Sequence, residues 1–369
     1  MSRIPGSGPA RRIGSRAGLA LVALTVAAGV GGCGNAASPP PLLRGRLLTD
    51  TASLALPTGL ALTPDGLAVV IDARAPEAVR VFDAAGALVA RLGREGSGPG
   101  EFVSAVSVFG RPGHPGELWV FDTRLERVVP LRGETLRGAP GAAEAFGAAV
   151  KLQPGLIVEA PRWLDDSTLV ALSPMLVAGE GRFVRFGADG VRRATMGDPP
   201  PTGTGGWGSA FVRQQAWGGD MAVHPSRSLF VLASRYAGRL EAYDRNGVPR
   251  VRFQVPQPFE PDFAPAEDGL NMERGKDFRF GYLDVAATAQ HVYALYSGRL
   301  QRDRSVPADV ADQVHVFDWE GRLQRVVRLD TPVAHLAVDS AGGTLYGTRI
   351  DPHPQVVEFS LAAPERAPI

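Results

Sequence analysis

The feature that most constrains the fold is a strand-pair unit that recurs along the chain. Its sharpest copy has an apolar run, Leu67 to Ile71, that ends in Asp72, and an alternating run, Val79 to Phe82, that is closed by a turn at 83–86. Further apolar strands follow at spacings of 51, 51, 60, 63 and 53 residues, beginning at Leu118, Leu169, Leu229, Val292 and Leu345. This period is typical of repeated small β-sheets.

The repeat predicts a closed ring of sheets. One four-stranded sheet cannot bury both of its faces alone, whereas a ring of six can. We therefore predict an all-β fold, a six-bladed β-propeller of four-stranded antiparallel blades over residues 43–365. Because the chain stops soon after the sixth partner strand at Phe359, an N-terminal strand, Leu43 to Leu54, is expected to complete the last blade and to close the ring.

The N-terminal segment has the features of an export signal. Four arginines precede an apolar run, Ala17 to Val30, that is too short for a stable membrane anchor. The run ends in Val30-Gly31-Gly32-Cys33, which resembles a bacterial lipobox. We predict a lipoprotein signal peptide over residues 1–32, lipidation of Cys33, and a flexible tether over 33–42 that leads to the propeller. The protein is then exported and lipid-anchored to the cell envelope, on its periplasmic face or at the cell surface.

Composition limits the partners. Removal of residues 1–32 leaves 35 basic against 38 acidic residues, and a balance so close to neutral argues against a nucleic-acid partner. Cys33 is the only cysteine, so the body has no disulfide and no thiolate metal site. We expect a monomer whose partners are the membrane, through its lipid anchor, and an unknown protein, peptide or glycan ligand.

The first unit also resembles a known repeat. Residues from Asp72 to Phe102 look like an NHL repeat, and the passage Gly281 to Arg299 is similar to the NHL-like six-bladed propeller lipoproteins of environmental and gut bacteria. The arginine that leads the third strand of an NHL blade is matched by Arg127, Arg182 and Arg239. The resemblance implies a propeller in which that arginine braces a neighbouring loop.

The lengths of the connections between strands differ between the two faces of the predicted propeller. Turns from inner to second strands and from third to outer strands are short, whereas the connections on the opposite face are long and irregular. Binding residues are usually carried by loops on a rigid scaffold, so we expect the ligand on the long-loop face. Five second strands finish on this face with an arginine, namely Arg74, Arg124, Arg235, Arg299 and Arg349.

These arginines have two interpretations. They form a partial cationic ring that attracts an anionic ligand, or each pairs with an acid on a neighbouring loop. Acidic residues and one histidine enter the inner strands on the same face, at Glu101, Glu159, Asp220, Asp284 and His335. Converging carboxylates are a Ca²⁺ site in principle, but the sequence shows no acid repeated at a fixed place in the blades. We therefore predict no cofactor and keep Ca²⁺ as an alternative.

Several other motifs lead to structural predictions. The glycines of 96–100 mimic a nucleotide-binding loop but lead into a strand instead of a helix. His114 and His224 are expected to be exposed residues of short turns. Trp207 and Trp217 lie in a long glycine-rich loop, where they either stack on a ligand or pin the loop to the body.

The leading functional hypothesis is a cell-envelope lipoprotein with a non-catalytic propeller that binds a ligand on its long-loop face. The alternative is a metal-dependent hydrolase or lactonase with its site at the mouth of the central channel. No HExxH or GxSxG pattern supports the second class.

Overall fold

The computed structural model describes most of the chain after the predicted signal and anchor. The described residues are 39–133, 136, 144–153, 157–173, 181–201, 210–265, 272–303 and 307–362. The chain divides into two compact units, Met1–Pro39 and Pro40–Ile369, and the second is the propeller described below. The predicted signal peptide and Cys33 lie outside the described residues.

Six blades account for almost all of the secondary structure; five are four-stranded sheets, and the sheet of the remaining blade has a fifth strand from the N-terminal segment. The chain begins with β1 (Leu42–Leu43) and β2 (Gly45–Leu47). Blade 1 contains β3 (Pro57–Leu62), β4 (Ala68–Asp72), β5 (Glu77–Phe82) and β6 (Leu88–Arg94). Blade 2 contains β7 (Ala105–Arg111), β8 (His114–Asp122), β9 (Arg127–Arg132) and β10 (Val150–Lys151). Blade 3 contains β11 (Glu159–Trp163), β12 (Thr168–Leu172), β13 (Phe183–Gly187) and β14 (Arg192–Met196).

The second half of the chain continues the pattern with two insertions. A helix, α1 (Ala210–Ala216), precedes blade 4, which contains β15 (Gly219–Val223), β16 (Leu229–Ser234), β17 (Leu240–Asp244) and β18 (Pro249–Arg252). A hairpin of β19 (Phe263–Pro265) and β20 (Met272–Arg274) precedes blade 5, of β21 (Tyr282–Ala287), β22 (His291–Tyr296), β23 (Ala311–Asp318) and β24 (Leu323–Val333). Blade 6 contains β25 (His335–Val338), β26 (Thr344–Arg349) and β27 (Gln355–Ser360), and β2 is its fourth strand.

The N-terminal strand closes the ring, as predicted. β2 pairs antiparallel with β27, with Gly45 opposite Phe359 and Leu47 opposite Val357. The strand is shorter than the predicted 43–54 because Asp50 turns the chain by accepting hydrogen bonds from the Ala52 amide and the Ser53 hydroxyl. The two residues of β1 instead pair in parallel with β24 of blade 5. The N-terminal strands therefore join the last two blades.

The core is divided among the six interfaces between blades. The second strands are buried along their whole length, as in the AVVID run of β4 and the TLVAL run of β12, because each blade is covered on both faces. One cluster of buried apolar side chains lies between each pair of neighbouring blades, the last of them between blade 6 and blade 1. No helix among the described residues is long and apolar enough to cross a membrane.

The insertions lie on the long-loop side, because both connect an outer strand to the next inner strand. Trp217 follows α1 and is 1% exposed, and it packs in a small apolar cluster with Phe263, Phe278 and Phe280. Its indole N–H donates to the Pro201 carbonyl at 3.1 Å. Trp217 therefore pins its loop to the body, whereas Trp207 lies outside the described residues.

Candidate functional site in the central channel

The six inner strands surround a cavity of about 300 Å³ in the central channel. Every blade contributes lining residues from its inner strand, so the cavity lies on the axis of the ring. In each blade the inner hairpin joins the inner strand to the second strand, and we count positions backward from the last residue of the inner strand. Alternate residues of a strand share one face, so the second and fourth positions are on the same side of the strand. These two positions define the chemistry of the cavity.

The fourth position carries charged or titratable side chains in three consecutive blades. Counted back along the paired strands from the hairpin, it is Asp220 in blade 4, Asp284 in blade 5 and His335 in blade 6. Two aspartates therefore occupy the same place, which corrects the expectation that no acid is repeated. The equivalence is missed when residues are counted from the first residue of each inner strand, because a β-bulge adds Leu283 to β21 ahead of Asp284.

Arg162 of blade 3 completes the polar cluster. It is the second residue back from its hairpin, and its Nη2 donates to Asp220 Oδ1 at 2.7 Å. Its Nε donates to the Met221 carbonyl at 2.7 Å and its Nη1 to the Pro161 carbonyl at 2.9 Å. Sequence reasoning missed Arg162, although counting residues back from each hairpin places it in the lining.

The Asp284 side chain connects blades 5 and 6. Its Oδ1 accepts the Val285 N–H at 2.8 Å, and its Oδ2 accepts the Leu336 N–H at 2.7 Å. The Nδ1 of His335 lies 3.7 Å from the same Oδ2. The side chain of Asp284 is 9% exposed and that of His335 is 27% exposed, so the histidine ring is the part of this pair that is open to the channel.

The two aspartates have opposite pKa shifts. Desolvation in the channel raises the pKa of Asp220 above its usual range, with a further rise from the Asp284 carboxylate and an opposing effect of Arg162. Burial also acts to raise the pKa of Asp284, but the His335 ring, the Leu336 amide and a hydrogen bond with Asp220 more than offset it and leave that pKa below its usual range. The two carboxyl groups therefore hold a proton between them more readily than isolated aspartates do.

The second position leaves space in the channel. It is alanine in four blades, at Ala61, Ala222, Ala286 and Ala337. In blade 2, whose hairpin extends further and is bulged, Phe109 lines the cavity opposite Trp119, and the Arg162 guanidinium lies 5.2 Å from the centre of the Phe109 ring. The cavity thus has small apolar side chains in blades 4 to 6 and in blade 1, and the contact between Arg162 and Phe109 in blades 2 and 3.

The five predicted arginines are not part of this cavity, since none of them is among the described residues that line it. Arg74, Arg124 and Arg235 are exposed. Arg299 donates to the Pro307 carbonyl at 3.1 Å and also to Val310, while Arg349 donates to the His353 carbonyl at 3.3 Å and to Gln355. Two of the five therefore brace their own loops through carbonyl and amide oxygens instead of pairing with acids.

The remaining predicted acids also lie outside the cavity. Glu101 accepts from Arg94 Nε at 2.8 Å and from the Gly98 amide at 2.8 Å, so it shapes the glycine-rich connector between blades 1 and 2. Glu159 is exposed at the start of β11. Of the predicted arginines, acids and histidine, the structure brings together Asp220, Asp284 and His335.

The two histidines predicted as exposed turn residues differ in the structure. His114 is partly exposed, and its Nε2 lies 2.5 Å from Asp166 of the next blade. His224 is 1% exposed, which makes that prediction wrong. Its Nδ1 accepts the Ser226 and Arg227 amides at 3.1 Å, and its ring packs 4.8 Å from the Trp319 ring. A tight turn folds this ring inward, and burial lowers its pKa.

Two of the arginines that were matched to the NHL-like pattern contact neighbouring loops. Arg127 donates to the carbonyls of Ser97, Gly98 and Glu101, the last at 2.5 Å. Arg182 donates through its Nη2 to the Trp217 carbonyl at 3.3 Å, in the connection before blade 4, and through its Nη1 to Glu241 of β17 at 3.1 Å. These contacts hold the long loops in place and leave the channel free of both guanidinium groups.

A metal site is not formed in the described part of the chain. No three of its His, Cys, Asp and Glu side chains converge closely enough to hold an ion. The Ca²⁺ alternative and the metal-dependent hydrolase therefore gain no support from the geometry, and the expectation of no cofactor stays a prediction.

Comparisons with known proteins agree with the fold. The family model for the TolB-like 6-blade propeller-like domain matches residues 209–341, about a third of the chain. The fold is a six-bladed β-propeller, and the matched part is similar to TolB-like propellers, while the finer NHL-like assignment stays a prediction. A search of curated proteins gave no match.

Solved structures with a similar fold are distant in sequence. A candidate exported protein of Bacteroides fragilis NCTC 9343 is 14% identical with a TM-score of 0.53, over 86% of this chain and 94% of that one. The U3-55K structure is 11% identical with a TM-score of 0.48, over 86% and 98% of the two chains. At these identities the likeness concerns the fold alone.

Proposed function

We propose that this protein is an exported lipoprotein, anchored through Cys33, whose propeller binds a protein or peptide ligand at the long-loop end of the channel without catalysing a reaction. The observation that carries the proposal is the convergence of Arg162, Asp220, Asp284 and His335 from four consecutive blades on one cavity. Apolar residues at these positions would pack a propeller equally well, and burial of charged groups opposes folding. Their presence is therefore best explained by a ligand.

The position of the cluster supports a ligand on the long-loop face. The fourth residue back from each inner hairpin is near the start of the inner strand, where the long connections enter the ring. Exposed apolar side chains also occur there, at Val103 (43% exposed) and Ile157 (57%). A macromolecular ligand that covers the channel mouth would bury both.

Site-specific photocrosslinking tests this function. A photoreactive phenylalanine analogue replaces Val103 or Ile157 in the producing cells, with matched replacements of Val191 and Val248, which are 43% and 44% exposed in short turns of the opposite face. We expect discrete crosslinked species from the first pair only. Crosslinks of equal yield from Val191 and Val248 would contradict a ligand on the long-loop face.

The anchor is tested separately. Cys33→Ala removes the only thiol that a lipid can modify, so we expect this variant to be released from the membrane fraction with an unchanged melting temperature. Fractionation and labelling with a radioactive fatty acid provide the measurement. A variant that still incorporates the label and stays with the membranes would refute the lipobox interpretation.

A further inference from the structure

The outermost strands of the ring differ in the side chains that they expose. Those of blades 5, 6 and 1 carry Leu42 of β1 (56% exposed), Leu47 of β2 (45%) and Val89 of β6 (36%). The outermost strands β14 and β18 of blades 3 and 4 expose arginines instead. Among the described residues, no other strand exposes an apolar side chain of this size. The exposed apolar side chains of the strands are therefore confined to one part of the circumference.

The N-terminal segment links these three blades at their outer edges. The Gly45 N–H donates to Asp330 Oδ1 of β24 at 2.9 Å, which holds the segment between β1 and β2 against blade 5. Arg46 Nη2 donates to the Ala84 carbonyl at 3.5 Å, in the turn that precedes β6 of blade 1. The edges of blades 5, 6 and 1 thus form one continuous stretch, which we call the N-terminal rim.

Exposed arginines flank the apolar side chains of the N-terminal rim. Arg44 lies between the two leucines in the chain, and Arg91 lies two residues after Val89. Both are exposed, and neither guanidinium has a hydrogen bond or ion pair with another described residue. Glu358 is paired with Arg46 at 2.8 Å. Apolar side chains beside unpaired guanidinium groups suit the boundary of a phospholipid bilayer, because the acyl region accepts the first and headgroup phosphates bind the second.

The predicted anchor holds a bilayer close to the N-terminal rim. Eight residues, 34–41, separate Cys33 from Leu42. Even fully extended they span no more than about 30 Å, which is less than the thickness of a bilayer of about 40 Å. A tether of this length makes contact between rim and bilayer an intramolecular event, so a contact that is weak by itself is formed most of the time. The bilayer is therefore the surface that this rim meets first.

We propose that the N-terminal rim, with Leu42, Arg44, Leu47, Val89 and Arg91, rests on the phospholipid bilayer that carries the lipid anchor. The inference rests on the anchor of the proposed function and adds the orientation of the propeller. Because the rim is the side of the ring, the channel axis then runs along the membrane plane. Both faces of the ring stay open to water, and the long-loop face remains accessible to a ligand.

Fluorescence quenching in vesicles tests this orientation. The acylated full-length protein is reconstituted in vesicles of phosphatidylethanolamine and phosphatidylglycerol, with an environment-sensitive fluorophore on a cysteine introduced by Leu47→Cys or Val89→Cys. Acylation occupies the Cys33 thiol, so only the introduced cysteine reacts. Val191→Cys and Val248→Cys are matched controls, because these valines are exposed to a similar extent on the short-turn face.

We expect lipids with a nitroxide near the headgroup to quench the labels at 47 and 89 but not those at 191 and 248. Iodide in the water should quench the first pair about threefold less than the second, because side chains at the bilayer boundary are buried among the headgroups. Equal iodide quenching at all four positions, or lipid quenching of the control positions alone, would overturn the rim contact.

A pair of substitutions tests which side chains make the contact. The double variant Leu42→Asp and Leu47→Asp should make the label at 89 about twofold more sensitive to iodide, because carboxylates are repelled from an anionic bilayer surface. The double variant Val191→Asp and Val248→Asp is the control and should have no effect. Melting temperatures identify a variant that fails to fold, and the four labels on the otherwise unchanged protein remain decisive in that case. Unchanged quenching at 89 in a folded Leu42→Asp and Leu47→Asp variant would overturn the rim contact.

Flotation of the vesicles separates this outcome from that of the proposed function. Protein that floats with the vesicles but exposes positions 47 and 89 to iodide would overturn the rim contact and leave the anchor in place. Protein that does not float would overturn the anchor and the rim contact together.

Discussion

Buried aspartates serve two different purposes in this protein. Asp122, at the end of β8, is fully buried and accepts the Val103 N–H at 2.8 Å and the Leu125 N–H at 3.0 Å, so it fixes the entry to its own blade. Asp72 does the same for the Leu56 amide at 2.7 Å in blade 1. Asp220, by contrast, leaves one oxygen without an N–H donor among the described residues. Asp72 and Asp122 are structural, whereas Asp220 belongs to the cluster in the central cavity that carries the proposed function.

The structural role of Asp122 leads to a stability prediction. Asp122→Ala leaves several buried amides without an acceptor, which should lower the free energy of unfolding by about 3 kcal/mol. Chemical denaturation measures the change, with Asp309→Ala, an exposed aspartate, as the control. A loss no larger than that of the control would show that Asp122 does not brace the blade.

His315 makes the stability depend on pH. Burial lowers the pKa of His315 from 6.5 to about 4, and its Nδ1 lies 2.9 Å from the Tyr282 hydroxyl. Between these two pKa values the unfolded chain binds a proton at His315 and the folded chain does not. The contribution of neutral His315 to the free energy of unfolding is therefore complete above pH 6.5 and is lost as the pH falls toward 4. The loss from this residue should be about 3 kcal/mol.

Thermal unfolding between pH 7 and pH 4.5 tests the role of His315. His315→Gln should flatten the dependence of the melting temperature on pH, whatever its effect at neutral pH, because the titrating group is removed. His353→Gln, at an exposed histidine, should leave the slope unchanged. Identical slopes for His315→Gln and the parent protein would show that His315 does not cause the effect.

At the scale of elements, the strand β2 completes the ring although it is only three residues long. Its three residues pair with β27, and the chain continues the contact through the Leu48 N–H, which donates to the Val356 carbonyl at 2.9 Å. Gly45 is needed because a Cβ there would lie 2.6 Å from Val357 Cγ1 and 2.8 Å from Phe359 Cε1. Closure therefore depends on a close approach that a larger residue prevents.

This close approach predicts the effect of one methyl group. Gly45→Ala should lower the free energy of unfolding by about 1 to 3 kcal/mol, because the added methyl group overpacks the closing strand. The melting temperature should fall as well. Gly110→Ala is the matched control, since a Cβ there meets nothing within 4 Å. If the two variants are equally stable, β2 does not pack on blade 6 as described.

Most elements follow from the sequence, and the exceptions have local causes. Apolar second strands and turns rich in glycine specify the blades, since their alternation and spacing are visible along the chain. The bulge at Leu283 is not visible in this way, so the shared position of Asp220 and Asp284 appears only in the paired strands. The burial of His224 is equally hidden, because a turn sequence does not show which side chain folds back onto Trp319.

At the scale of the molecule, the ring separates stability from binding. Six apolar clusters between the blades hold the ring together, and the channel needs no charged group for that purpose. The repeat period predicts the ring as a whole. It does not show that residues 162, 220, 284 and 335 meet at one cavity. The arginines at the ends of the second strands lie one strand farther from the axis, which explains why they do not line the cavity.

The central claim is that the ligand occupies the channel at its long-loop end, and hydrogen exchange of the full-length protein, compared between the free protein and the species crosslinked to its ligand through position 103, tests it most directly. The account predicts added protection in the inner strands β11, β15, β21 and β25 and in the long connections next to them, with the short turns at 63–66 and 244–248 unchanged. Protection confined to the short-turn face, or spread evenly over all six blades, would contradict it.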